Sequence, residues 1–173
     1  AMQNSGRIAN VTLVPPGAEL ADAVAFDTGP GNMIMDALVC ILSDGTETFD
    51  RDGARAARGE VNSDILKWCM ADPYFQLEPP KTTGRERFGR QYARRLVERF
   101  ARTPSDVLVA TATAFTAQSI ADAYHDFIRR PVDEMIIAGG GAKNPTLLRM
   151  LRERRPECSI RIYGHLHEKE PMD

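Results

Sequence analysis

Asp27 ends the apolar run Val24-Ala25-Phe26 and is followed at once by Thr28-Gly29-Pro30-Gly31-Asn32. An acid at a sharp strand-to-helix turn lies beside backbone N–H groups that have no partner within the helix. In α/β enzymes that arrangement holds phosphates and activates nucleophiles. The same carboxylate also suits plain capping of the turn, and spacing alone does not separate the two uses. A second stretch of similar grammar is Gly139-Gly140-Gly141, which follows the apolar end of residues 132–138 and leads into Asn144-Pro145. Glycine at such a junction lets backbone come close to a nucleotide, because no Cβ intervenes. A third is residues 77–86, with two prolines, two threonines, Lys81 and Arg85. It is stiff at one end and donor-rich at the other, which suits an oxygen-rich ligand or an ordinary solvated connection.

These residues need a scaffold, and the pattern supplies one. Residues 8–14 and 23–26 read as strands able to pair as a hairpin, whereas residues 1–6 carry no periodic signal. Ile34, Ala37, Leu38, Ile41 and Leu42 fall on one stripe, which predicts a helix from Pro30 to about Ser43 with Thr28 as its cap. Short helices are expected over 50–58 and 62–70, and a longer one over 87–100 with Phe88, Tyr92, Leu96 and Phe100 on one face. Thr103-Pro104-Ser105-Asp106 opens a helix rich in Ala and Thr that runs to about Ile128. Residues 132–138 read as a buried parallel strand, 144–155 as a helix and 159–163 as a last strand.

Composition narrows the function classes. A chain of 173 residues, 43% hydrophobic, has enough apolar side chains for one good core. The net charge of −2 and the interruption of the arginines between Arg85 and Arg99 by Glu86 and Glu98 argue against a nucleic-acid surface. Cys40, Cys69 and Cys158 form no CxxC and are odd in number, which suits a reducing compartment. No apolar stretch is long enough to span a bilayer and no signal peptide is visible, so a cytoplasmic protein without membrane contact is expected. His165 and His167 could share one face, but no third residue with metal-ligand spacing accompanies them; no resident metal is expected.

Taken in order, four blocks make this chain resemble the anhydro-N-acetylmuramic acid kinases of the sugar kinase/Hsp70/actin superfamily. They are Ile8-Ala9-Asn10-Val11-Thr12; Phe26-Asp27-Thr28-Gly29-Pro30-Gly31-Asn32 with Asp36; Pro79-Pro80-Lys81-Thr82-Thr83-Gly84-Arg85-Glu86; and Gly139-Gly140-Gly141-Ala142-Lys143-Asn144-Pro145. The resemblance implies an α/β lobe of the actin-like ATPase (ribonuclease H-like) fold, a mixed sheet with helices packed on it. It implies an enzyme that uses ATP, with Mg²⁺ brought by the nucleotide, to open the 1,6-anhydro ring with water and phosphorylate O6. Asp27 takes the role of general base toward that water. Gly139, Gly140, Gly141 and Asn144 fall on the nucleotide side, and Thr28, Gly29, Asn32, Lys81, Thr83 and Arg85 on the sugar side.

The departures from the family pattern shape the expectation. Arg7 stands where the family has glycine, and no Gly-Thr-Ser-x-Asp-Gly phosphate loop occurs in the chain. Residues 1–173 are therefore expected to form the C-terminal lobe of such a kinase, without the N-terminal phosphate-binding lobe and inactive alone. The rival expectation is a degenerate, non-catalytic sugar- or nucleotide-binding module. A homodimer or partner surface formed by an exposed apolar patch is a third.

Overall fold

The computed structural model describes residues 1–163, the side chain of Leu20 excepted. His165, His167 and the Lys169-Glu170 pair lie outside them. Five strands, β1 (Met2–Ser5), β2 (Ala9–Leu13), β3 (Val24–Gly29), β4 (Glu134–Ala138) and β5 (Ser159–Ile162), form one sheet in the order β3-β2-β1-β4-β5. β1 pairs antiparallel with β2, and β2 with β3; β1 pairs parallel with β4, and β4 with β5. The expected hairpin of residues 8–14 and 23–26 is present as β2 and β3.

The central strand is the one the pattern did not show. β1 turns Gln3 and Ser5 inward. Its buried positions are thus polar, and a search for apolar alternation passes over it. Gln3 Nε2 donates to Thr28 Oγ1 at 3.4 Å and to Asn4 O at 3.2 Å, which partly offsets burial of the amide.

The helices are α1 (Met33–Leu42), α2 (Ala54–Arg58), α3 (Ser63–Met70), α4 (Arg85–Phe88), α5 (Arg90–Arg99), α6 (Ser105–Phe127) and α7 (Pro145–Arg154). Asn62 caps α3 by accepting from the N–H groups of Asp64 and Ile65, as its sequence position suggests. Helix α6 is buried on nearly every side and packs against α1, α2, α3, α7 and β3. Its Ala and Thr residues permit that, since small side chains let neighbours approach on all faces. It begins at Ser105 with Pro104 as its cap residue, one position later than a Thr103 cap would place it. The expected helix over 87–100 is broken at Gly89 into α4 and α5, although Phe88, Tyr92 and Leu96 are all buried as the stripe requires.

The start of α1 differs from the expected one for a physical reason. β3 continues through Thr28 and Gly29, Gly31 adopts φ +59°, and the helix opens only at Met33. Asn32 N donates to Gly6 O at 2.8 Å and Met33 N to Arg7 O at 3.1 Å. The β1–β2 turn therefore consumes the first helical N–H groups that seemed available to a ligand. Thr28 caps nothing; it lies in the core.

Helix α6 clamps this turn from below. Thr116 Oγ1 donates to Gly31 O at 2.8 Å, and a Cβ on Gly29 would meet Ser119 Oγ at 2.5 Å. Replacing Thr116 by Val keeps the shape and leaves the Gly31 carbonyl without its donor. Thr116→Val is expected to destabilise the fold by about 1–3 kcal/mol. Thr113 Oγ1 back-bonds to Val109 O within its own helix, so Thr113→Val is expected to cost about 0.5 kcal/mol or less. Urea unfolding of the two variants checks the contrast.

Candidate functional site

β1, β3 and β4 run in the same direction, so their C-terminal ends share one edge of the sheet. Open α/β sheets bind ligands along that edge. Two groups of the residues singled out from the sequence lie there, and they line separate cavities.

The first group surrounds Asp27. A cleft of about 370 Å³ is lined by Asn10, Thr12, Asp27, Pro80, Lys81 and Thr82, among others. Three contacts from residues 74–83 fix Asp27. Its N–H donates to Lys81 O at 3.1 Å, its carbonyl accepts from Tyr74 Oη at 2.7 Å, and its Oδ2 accepts from Thr83 N at 2.9 Å. Oδ1 has no hydrogen-bond donor among the described residues, and the side chain is half-buried. Asp27 is thus held by one oxygen and left open at the other. Thr83 Oγ1 is a buried hydroxyl without a partner among the described residues. Burial first, and then the nearby Asp27 charge, push the Tyr74 hydroxyl well above the ordinary tyrosine range, so it stays a donor.

Lys81 is placed differently from a sugar contact. It is 6% exposed, and its ammonium lies among aromatic rings rather than in solvent. Thr28 and Gly29 back onto the core and α6, away from the cleft. Arg85 is exposed at the start of α4, with no ion-pair partner among the described residues.

The second group gathers at the glycine loop. A cavity of about 320 Å³ between α1, residues 49–52 and the glycine loop is lined by Asn32, Asp36, Phe49, Asp50, Arg51, Gly140, Lys143 and Asn144, with Met35 and Asp52. A second, of about 790 Å³, opens on the other side of Gly139 and Gly140 toward Tyr163. Gly139 and Gly141 are demanded from within. Gly139 has φ +82°, and a Cβ there would come within 2.5 Å of Asn4 Oδ1, while one on Gly141 would meet Ser5 Oγ at 2.3 Å. Gly140 is exposed, and a Cβ on it would meet only Asn32 Nδ2. Asn144 Oδ1 accepts from Leu147 N at 3.0 Å, so its side chain caps α7. Asn32 Nδ2 donates to Ser5 O at 3.3 Å and ties α1 to β1.

β3 and β4 are three strand spacings apart, about 14 Å. The β1–β2 turn with Arg7 lies between the two groups. Sequence reasoning passed over Tyr74, the segment Phe49–Asp52, and a titrating role for Asp36. Only Asp36 had a signal, its place in the Asp27 block. Among the described residues no group of three or more His, Cys, Asp or Glu side chains could hold a metal ion. No helix among them is long and apolar enough to cross a membrane.

Comparison with known proteins adds the family. The sequence model for anhydro-N-acetylmuramic acid kinase matches residues 1–166. This chain belongs to that family. The anhydro-N-acetylmuramic acid kinase of Caldanaerobacter subterraneus subsp. tengcongensis is 43% identical over 164 residues, covering 92% of this chain and 41% of the relative. That of Bacillus cereus strain AH820 is 41% identical over 165 residues, covering 93% and 43%. The chain thus spans about two fifths of the length of the anhydro-N-acetylmuramic acid kinases it matches. Among solved structures, component A of the Acidaminococcus fermentans (R)-2-hydroxyglutaryl-CoA dehydratase superposes with TM-score 0.58 at 14% identity, over 95% of this chain and 55% of that one. The activator of the 2-hydroxyisocaproyl-CoA dehydratase from Clostridium difficile, solved with bound ADPNP, gives 0.59 at 12%, over 94% and 53%. Likeness at this identity speaks for the fold alone: an α/β lobe of the actin-like ATPase type, as the order of motifs implied.

Within this member of the kinase family, Asp36 is the group whose ionisation the site perturbs most usefully. Burial raises its pKa from 3.8 to about 6, and the Arg7 guanidinium holds it from rising further. Between those two values the folded chain keeps a proton that the unfolded chain loses, so stability falls as pH rises through that window. The group is partly solvated, so the penalty at pH 7.5 is about 1 kcal/mol, below the full conversion of the shift. Asp36→Asn is expected to be more stable than the wild type by that amount at pH 7.5 and equal to it near pH 4. Urea titrations at the two pH values check this. A less stable variant at pH 7.5 would show the carboxylate to be engaged and not merely buried.

Proposed function

We propose that this chain carries the base and the adenosine-side loop of an ATP-dependent anhydro-N-acetylmuramic acid kinase, as its C-terminal lobe. The observation that carries the reading is the state of Asp27. One carboxylate oxygen is fixed by Thr83 N–H, and the other has no donor among the described residues, beside a cleft that Asn10, Thr12 and Thr82 share with apolar side chains. A base needs that combination: an orientation set by one contact and a free lone pair for the proton it takes. In the proposed reaction Asp27 accepts a proton from water as the water oxygen bonds to the anomeric carbon. The C1–O6 bond breaks, and O6 takes the γ-phosphoryl group of ATP as its bond to the β-phosphate oxygen breaks and ADP leaves. Asn10, Thr12 and Thr82, which line the cleft, are the side chains this reading assigns to the ring hydroxyls.

The nucleotide is assigned to the cavity at Gly140, where Lys143 and Arg51 supply cationic heads and Phe49 an exposed ring. In this reading a divalent ion arrives with the nucleotide's phosphates and keeps most of its waters. Such an ion supplies charge neutralisation at the transferring phosphoryl group. In this reading the loop that grips the β- and γ-phosphates lies outside these 173 residues, and the chain alone does not turn over. The Arg7 departure favours the second reading, a binding module that has lost catalysis.

Calorimetric titration of the chain with ADP and with 1,6-anhydro-N-acetylmuramic acid tests the assignment, and binding of only one of the two is what a degenerate module predicts. The kinase-lobe reading predicts that both bind. Gly140→Ala, which puts a methyl against Asn32 Nδ2, is expected to weaken ADP about tenfold and leave the sugar unchanged. Binding of neither ligand contradicts the assignment, and turnover by the 173-residue chain contradicts the division of labour.

A further inference from the structure

A lysine with 6% of its surface exposed needs a reason, because burying an ammonium costs several kcal/mol unless it is well paired. Lys81 has no ion-pair partner within contact distance among the described residues. Its Nζ lies 4.3 Å from the ring centre of Phe127, 4.7 Å from that of Tyr74 and 6.0 Å from that of Phe26, and donates to Tyr74 O at 3.3 Å. Ring faces attract a desolvated cation strongly enough to offset part of the cost. Burial still lowers the pKa of Lys81, with the Asp126 carboxylate working the other way.

What this ammonium touches is the apparatus that holds Asp27. The carbonyl of Lys81 itself accepts from Asp27 N. Tyr74, whose carbonyl takes the ammonium, donates its hydroxyl to Asp27 O. Thr83, two residues along the same extended segment, supplies the N–H on Asp27 Oδ2. β3 is an edge strand, and segment 81–83 lies against its open side.

We propose that Lys81 is a positioning residue, whose caged ammonium pins segment 81–83 and Tyr74 to β3 so that Asp27 presents one free oxygen to the cleft. The functional meaning rests on Asp27 as the base; the geometry does not. The competing explanation is that the hydrocarbon stem fills space and the charge is incidental. Lys81→Met separates the two, since it keeps the stem and removes the ammonium.

The measurement is backbone amide exchange by NMR on the 173-residue chain, with thermal unfolding alongside. In Lys81→Met the Thr83 and Asp27 amides are expected to exchange about tenfold faster or more, whereas those of Leu96 and Ala114 keep their rates within about twofold. Calorimetry on the same variant is expected to show sugar affinity lowered about tenfold and ADP affinity unchanged. Phe127→Leu keeps the ammonium and removes one ring, so it is expected to give a smaller acceleration at the same two amides. Unchanged Thr83 exchange in a folded Lys81→Met overturns the proposal. Should that variant fail to fold, unchanged Thr83 exchange in Phe127→Leu overturns it. Selective loosening of Thr83 in a chain whose wild type binds no sugar supports the positioning role and counts against the kinase reading.

Discussion

The candidate site depends on an edge strand having been given a partner. β3 would otherwise expose unpaired N–H and C=O groups along its open side, an invitation to association with another chain. Residues 81–83 lie along it instead. Asp27 N bonds to Lys81 O, and Thr83 N bonds to the Asp27 carboxylate. The contact that satisfies the sheet edge also orients the acid, so strand pairing and chemistry share one set of hydrogen bonds. Behind β3, the close approach of α6 at Gly29 and the Thr116–Gly31 hydrogen bond stop the turn from shifting beneath that acid.

The glycine loop obeys a different constraint. Gly139 and Gly141 are glycines because β1 runs underneath them, with Asn4 and Ser5 occupying the space a Cβ would need. Gly140 is the one of the three whose Cβ direction does not run into β1. A glycine triplet can therefore look like a nucleotide motif while most of it serves packing. Asn32 and the β1–β2 turn join this loop to the Asp27 turn. Arg7, on that turn and close enough to Asp36 to depress its pKa, lies between the two cavities.

Much of this was legible from residue types, and the failures have a common cause. The β2–β3 hairpin, the long α6, the strand into the triple glycine and the Asn144 cap follow from apolar period and turn chemistry. β1 escaped because its inward residues are Gln3 and Ser5, and a pattern built on hydrophobicity does not see a strand whose buried side chains are polar. The resemblance puts Lys81 on the sugar side, whereas only the aromatic rings of three separate segments show the cage around its ammonium. Spacing predicts a cap at Thr28 because it does not divide strand from helix when the turn between them contains a glycine with positive φ. For β1 and Lys81 the deciding neighbours are distant in sequence.

The central claim is that one lobe presents two ligand sites on a single sheet edge, the sugar at Asp27 and the nucleotide at Gly140. Chemical-shift mapping on the ¹⁵N-labelled chain tests it most directly. The account predicts that 1,6-anhydro-N-acetylmuramic acid moves the amides of Asn10, Thr12, Asp27 and Thr83, while ADP moves those of Gly139 to Lys143 together with Asn32 and Arg51. Shifts from the sugar confined to the glycine loop, or from neither ligand at either place, would contradict it.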